Sequence, residues 1–557
     1  MKKNRSILCL SMTLALMSCT LIGCGSSTAF DNPGDTLGGG GVVDDVPTET
    51  NSVSSSSIDT QIGKISTDLI TEDVSGATDI SPTAALSKDI EIKSDESYKI
   101  SGNIDLGAYQ LKVVKSLTNV VLYFNGVTLT KSTDKKVVNA KSDITIVLVS
   151  GTTNSVTTTY EDCDAIGGDG NVTIQGSGSL TIQATDDCIS CDGTLKVLGG
   201  TIVATSTGGC ALNAESIILK NANITGNTVN SDVIHAEINY DAVTSASEVI
   251  FTYEKGFVYA DSSTLKLTSS GTGDGIQGDT FVDIVSGTIN IKTNGGATTN
   301  ITESSSDVVD GKDIKAGCID YTVGDSTDEL ELTSEKYCVL IKGGTIDINS
   351  NDDAIHSNGE SVISGGTITI STGDNGVHAE TLNEISGGTI TISKSYEEIE
   401  GAKVEIQGGT IDLYSVDDGI NAADGTNSQG STNNTNCHII INEGEITVNA
   451  DGDGIDSNGT LLFNGGYTYV NGPTNGGNAS LDSNGGILCN GGYLIAVGAL
   501  GMVETQSVSS TQYVISYAQS STISANTYID LQDSSNTSLV SMTTKKPVNQ
   551  SLFLVQK

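Results

Sequence analysis

Along much of the chain Ile or Val alternates with polar residues in short runs. Thr345-Ile-Asp-Ile348, Thr367-Ile-Thr-Ile370, Thr389-Ile-Thr-Ile392 and Glu445-Ile-Thr-Val448 share this pattern. A period of two predicts half-buried strands, with the Ile column facing a core and the Thr/Asp column facing solvent. The runs also recur. Gly-Gly-Thr-Ile stands at Gly343–Ile346, Gly365–Ile368, Gly387–Ile390 and Gly408–Ile411, in steps of 22, 22 and 21 residues. Ser179–Ile182, Gly200–Val203 and Ala222–Thr225 keep the step upstream. About half a period later comes a second block: Asn351–His356, Gly373–His378, Ser395–Glu400 and Val416–Asn421. A fixed period near 22 with a short strand in each half predicts an all-β solenoid, one long quasi-one-dimensional domain of stacked coils.

Strand-like segments begin near Ile90, and the period is lost near residue 500. The solenoid is therefore expected over 86–500. Residues 501–557 still alternate and predict a small β cap over the open end. Insertions interrupt the step at about 321–338 and 425–436. Residues 24–85 are rich in Gly, Ser, Thr and Asp and read as a solvated tether.

Residues 1–23 carry Lys2, Lys3 and Arg5 and then the apolar run Ile7–Ile22, which predicts an export signal. The run ends in Leu21-Ile22-Gly23-Cys24, which resembles a bacterial lipobox. Lipid on Cys24 would be the only contact with a membrane, placing the protein on the outer face of the bacterial cell membrane. Export permits disulfides among Cys163, Cys188, Cys191, Cys210, Cys318, Cys338, Cys437 and Cys489, although Cys188 and Cys210, one period apart, also suit small interior positions stacked above each other.

The net charge of −41 excludes a nucleic-acid partner, which needs a basic footprint. Arg5 is the only Arg, so the exported chain has no guanidinium to clamp an anion. Trp is absent and aromatics make up 4%, which disfavours a stacking platform for neutral glucans.

The acids are placed periodically. Aligned on the second block, one column runs Asp353, Asn375, Glu397, Asp418, Asp453. The residues before it are Asp352, Asp374, Tyr396, Asp417 and Gly452, and those three positions after it are His356, His378, Glu400, Asn421 and Asp456. Asp164, Asp187, Asp232 and Asp274 are earlier relatives. Coils stack about 4.8 Å apart. Two carboxylates at that distance repel by about 3.5 kcal/mol at an effective dielectric near 20. Protonation, hydrogen-bond donors or a cation must offset this. Calcium suits a ladder of carboxylate, amide and carbonyl oxygens, with expected ligands among Asp274, Asp279, Asp352, Asp353, Asp374, Asn375, Glu397, Asp417, Asp418, Asp453 and Asp456. The alternative is that Asp and Asn simply make turns.

Asp274-Gly-Ile-Gln-Gly-Asp279, Asp352-Asp-Ala-Ile-His-Ser-Asn358, Asp453-Gly-Ile-Asp-Ser-Asn458 and Gly472-Pro-Thr-Asn-Gly-Gly-Asn478 followed by Leu481-Asp482 resemble a family of bacterial surface lipoproteins with carbohydrate-binding domains. The resemblance implies a right-handed parallel β-helix, bound calcium and affinity for acidic polygalacturonate. Glycan contacts are expected at Lys315, His356, Asn358 and His378, on a monomer. The implied fold is also similar to that of pectate lyases, which use a Lys as base. Lys312 and Lys315 are the candidates for that role in a lyase alternative. A third reading is a structural rod or adhesin that calcium only stiffens.

Overall fold

The computed structural model describes residues 7–10, 55–238, 254–297, 301, 311–317, 336–426, 432–502 and 504–555. Cys24 and Cys318 lie outside them, as do most of the expected insertion at 321–338 and residues 427–431 of the one at 425–436. The chain is all-β, with parallel strands in a solenoid of about 15 turns, about 24 residues per turn and almost no helix. The average exceeds the 22-residue step because some coils carry insertions. Ile314 and Ile355, for example, are register partners.

Two compact units divide the chain: Thr50–Ala402, and Lys403–Lys557 together with Met1–Glu49. In the first unit the turns carry strands on three faces, two of which are fused into one strand in some turns. Cys338–Ile341, Thr345–Asn349 and Ile355–Ser357 pair in parallel with Glu360–Ile363, Thr367–Ser371 and Val377–Ile385 of the next turn. Ile289, Ile346, Ile368 and Ile390 form one register column, each at most 1% exposed. Their neighbours Asp347 and Thr369 are exposed, as the alternation predicts. Ile368→Ala is expected to destabilise by about 2–5 kcal/mol in denaturant unfolding, because a stacked column has little freedom to collapse into the cavity. An unchanged midpoint would remove Ile368 from the core.

Both glycines of the repeat have physical reasons. A Cβ on Gly343, Gly365 or Gly387 would lie 2.5–2.7 Å from a carbonyl oxygen of the preceding coil. The next residues, Gly344, Gly366 and Gly388, hold φ of 98°, 98° and 91°, a region that costs side chains energy.

Residues expected as tether are partly structured. Ser55–Ile62 is a helix, and its Ile58 is fully buried among Ile218, Phe257, Phe281 and Leu340 on an outward sheet face. Its apolar residues Ile58 and Ile62 stand four apart, which puts them on one face of the helix. Lys342 ties the helix down by reaching both Asp59 (2.5 Å) and buried Asp283 (3.0 Å).

In the second unit Ile411–Ile446, Leu413–Val448 and Ile420–Ile455 are buried register pairs that form inward columns of its own. Beyond residue 500 pairing turns antiparallel: Val548–Val555 lies against both Ile487–Gly498 and Tyr513–Ile523. The hairpin Tyr528–Gln532 with Ser538–Thr543 adds Ile529, Leu531, Val540 and Met542 to a core shared with Ile495 and Val497. In the full chain Ile7–Leu10 pairs in parallel with Tyr528–Leu531.

Candidate functional site

The acid column has a structural duty that the sequence does not reveal. At several bends one carboxylate oxygen accepts the backbone N–H of the same position in the next coil. Asp187 takes Cys210 N, Asp232 takes Asp274 N and Asp274 takes Lys312 N, all at 2.7 Å. Asp353 takes Asn375 N at 3.1 Å, and Asp418 takes Asp453 N at 2.5 Å. These bonds satisfy amides where the chain turns between strands, which is why the acids recur with the period. The second oxygen of each carboxylate remains for other chemistry, and its partners differ along the ladder.

Around Asp353 they are cationic or aromatic nitrogen groups. Lys312 Nζ lies 2.8 Å from Asp352 Oδ2, and Asp353 Oδ2 receives His356 Nδ1 at 2.8 Å and His378 Nδ1 at 3.5 Å. Burial would raise Asp353, but the hydrogen bonds from His356 and His378 hold its carboxyl well below the usual range. Burial pushes His356 down to about 3, with Lys312 and His378 acting in the same direction. Burial opposes the charged ring of His378 as well, yet the bond to Asp353 and the Glu400 charge carry it up to about 10. Asp374 joins Asp352 and Asp353 in a cluster of oxygens within 4.8 Å of one another. Lys312 already supplies positive charge there.

A second cluster, Asp164, Asp186 and Asp187, is similarly occupied: Lys136 Nζ stands 2.7 Å from Asp164 Oδ2, and Asn213 donates to Asp187 Oδ2. Asp274 and Asp279 do not meet in a cluster. Asp274 Oδ2 faces Lys315 at 3.9 Å, and Asp279 holds His235 and the amide of Ile238. Asn375 donates to Glu400. Glu397 is buried and belongs to none of the clusters.

The third cluster differs. Asp418, Asp453 and Asp456 bring carboxylate oxygens within 4.8 Å of one another, and among the described residues no Lys or His pairs with them. Burial and the Asp453 charge push Asp418 up to about 8. Burial, then Asp482 and Asp453, push Asp456 up to about 7, and burial lifts Asp453 to about 6. Asp482 is the register partner of Asp456, and Glu504 beside it is pushed up to about 7. Extending the column one coil would have found Asp482. Glu504 lies past the end of the period and carried no signal. Gly452 sits here because a Cβ would strike the Asp417 and Asp418 carboxylates.

Three expected glycan contacts are hidden: Lys315, His356 and Asn358 are 3%, 5% and 0% exposed. Little of their surface is open to a polymer. His378 is only half-buried. Sequence reasoning placed His356 and His378 on the column but could not read its depth. An open groove of about 470 Å³ instead lies on the first unit, where Thr118, Asn119, Thr145, Asn171 and Thr173 offer hydroxyl and amide groups. Such groups suit sugar hydroxyls. Cys163, Cys188, Cys191, Cys210, Cys338, Cys437 and Cys489 are free and buried, which agrees with small interior residues at Cys188 and Cys210; Cys188 and Cys191, three residues apart, form no bridge.

A family model described as carbohydrate-binding domain-containing protein matches residues 87–376, just over half of the chain. No curated protein and no solved structure matches. The chain belongs to the family of carbohydrate-binding domain-containing proteins.

Proposed function

We propose that the protein binds acidic cell-wall polysaccharide, polygalacturonate above all, through calcium and without cleaving it. Lipid on Cys24 would hold it on the outer face of the bacterial cell membrane. The observation that carries the calcium reading is the convergence of Asp418, Asp453 and Asp456 without a described cationic partner. Calcium bonds oxygens at about 2.3–2.6 Å, so ligands on opposite sides of the ion stand about 4.6–5.2 Å apart, the scale of this cluster. All three donors are hard oxygens, and backbone carbonyls and water would complete the shell. Asp417, Asp482 and Glu504 add negative charge nearby.

A calcium ion that retains open positions can accept a uronate carboxylate. That would let a protein of net charge −41, with no Arg after its leader, hold a polyanion. Repeated weak contacts along a polymer add avidity. The lyase alternative needs an accessible Lys. Lys312 is paired with Asp352, and Lys315 is buried beside Asp274, which disfavours it.

Protein lacking residues 1–23 is expected to sediment with polygalacturonate gel in calcium and to stay in solution in chelator. Absorbance of unsaturated product is expected to stay at baseline. Asp418→Asn with Asp456→Asn is expected to abolish the calcium-dependent fraction. Cleavage that Lys315→Ala abolishes would establish the lyase alternative. Calcium stabilisation without any uronate binding would leave the stiffened rod.

A further inference from the structure

We propose that Asp353, His356 and His378 form a second metal site, for a transition-metal dication of the zinc class rather than for calcium. His356 and His378 are register partners in successive coils, and Asp353 stands three residues before His356 at the same bend. Both rings aim Nδ1 at one oxygen, Asp353 Oδ2, at 2.8 and 3.5 Å. One ligand atom from each of the three residues lies within 4.8 Å of those of the other two. Bonds of about 2.0–2.2 Å in a tetrahedral zinc site put neighbouring donors about 3.3–3.6 Å apart. The two observed separations run from below that range into its upper part.

The far side of His378 supplies an independent sign. Its Nε2 faces Glu380 Oε1 at 3.7 Å. Metal-bound histidines commonly turn their outer nitrogen to a carboxylate, which fixes the tautomer with the inner lone pair on the ion. Donor chemistry also separates this site from the Asp418 cluster. Two imidazoles and one carboxylate suit zinc, whereas calcium takes oxygens alone. Lys312 is the nearby competing cation, but its ammonium is held by Asp352 at 2.8 Å. Asp353 Oδ1 stays with the Asn375 amide, so Oδ2 is the atom available to an ion. Asp353 and His356 are 4% and 5% exposed, so the ion would staple two coils together rather than meet a substrate. The proposal rests on the histidine geometry alone and is independent of the calcium reading.

Metal-stripped protein lacking residues 1–23 is titrated with Co²⁺ and then with Zn²⁺. The expected result is the visible absorption of tetrahedral cobalt, saturating at one equivalent, discharged by zinc and unaffected by excess calcium. His378→Ala is expected to remove the band. Glu380→Gln, which keeps all three ligands, is expected to weaken cobalt binding about ten-fold. Asp418→Asn is expected to leave it unchanged. No band in the unaltered protein, or a band that survives His378→Ala, overturns the proposal. Should circular dichroism show that His378→Ala does not fold, Glu380→Gln decides, and an unchanged affinity there overturns it.

Discussion

Calcium is expected to raise the melting temperature of the protein lacking residues 1–23, and the rise is expected to grow with pH. An ion that binds only the folded state stabilises by mass action, about 2.7 kcal/mol at 100 times its dissociation constant. The pH dependence follows from the raised carboxyls. Asp418, Asp456, Asp453 and Glu504 stand at about 8, 7, 6 and 7 in the folded protein. Unfolded, they would titrate near 4. The folded state therefore binds more protons between those limits. Its stability in chelator is highest below about pH 4 as far as these groups are concerned, and it is lost as pH rises to about 8. Calcium needs the ionised carboxylates and competes with those protons. The gap between calcium and chelator is thus expected to be small at pH 5 and largest at pH 8. Buried Asp313, which burial pushes up to about 7, lies in no cluster and should leave a pH-dependent fall that calcium does not remove. A melting temperature at pH 8 that ignores calcium throughout a titration would end the metal reading of Asp418, Asp453 and Asp456.

Lys312→Ala is expected to cost about 3–5 kcal/mol, or to prevent folding, whether or not calcium is present. Lys312 occupies the acid column itself, between Asp274 of one coil and Asp353 of the next. Burial by itself would lower its pKa, but the charges of Asp353, Asp352 and Asp274 raise it. Removing the ammonium leaves Asp352, 3% exposed, without its cation beside Asp353. Exposed Lys266→Ala serves as the comparison and should stay within about 0.5 kcal/mol. Guanidinium unfolding of the two variants measures both. If Lys312→Ala unfolds with the unaltered midpoint, Lys312 is not a structural cation, and its candidacy as a catalytic base returns.

The sequence by itself determined the architecture. A solenoid repeats one solution, so the spacing of Gly343, Gly365 and Gly387 and the alternation around Ile346, Ile368 and Ile390 already contain the coil, its inward column and its turn. The periodic acids were equally legible, and two triads among the expected ligands, Asp352/Asp353/Asp374 and Asp418/Asp453/Asp456, do converge. What distinguishes those triads was decided only by tertiary structure. Lys312 reaches Asp352 from an earlier coil, across an insertion whose length hides their register. Glu504, outside the repeat, packs back toward Asp482. The depth of Lys315, His356 and Asn358 was likewise invisible, since a period of two assigns a face and not the cover above it. The helix Ser55–Ile62 was missed for a related reason. A short, polar, Ser-rich segment has little helical tendency alone, and the burial of Ile58 against Phe257 and Phe281 is what holds it. Local pattern fixes what repeats along the chain. Charge balance at each rung depends on which side chains meet across coils, and that only the folded chain specifies.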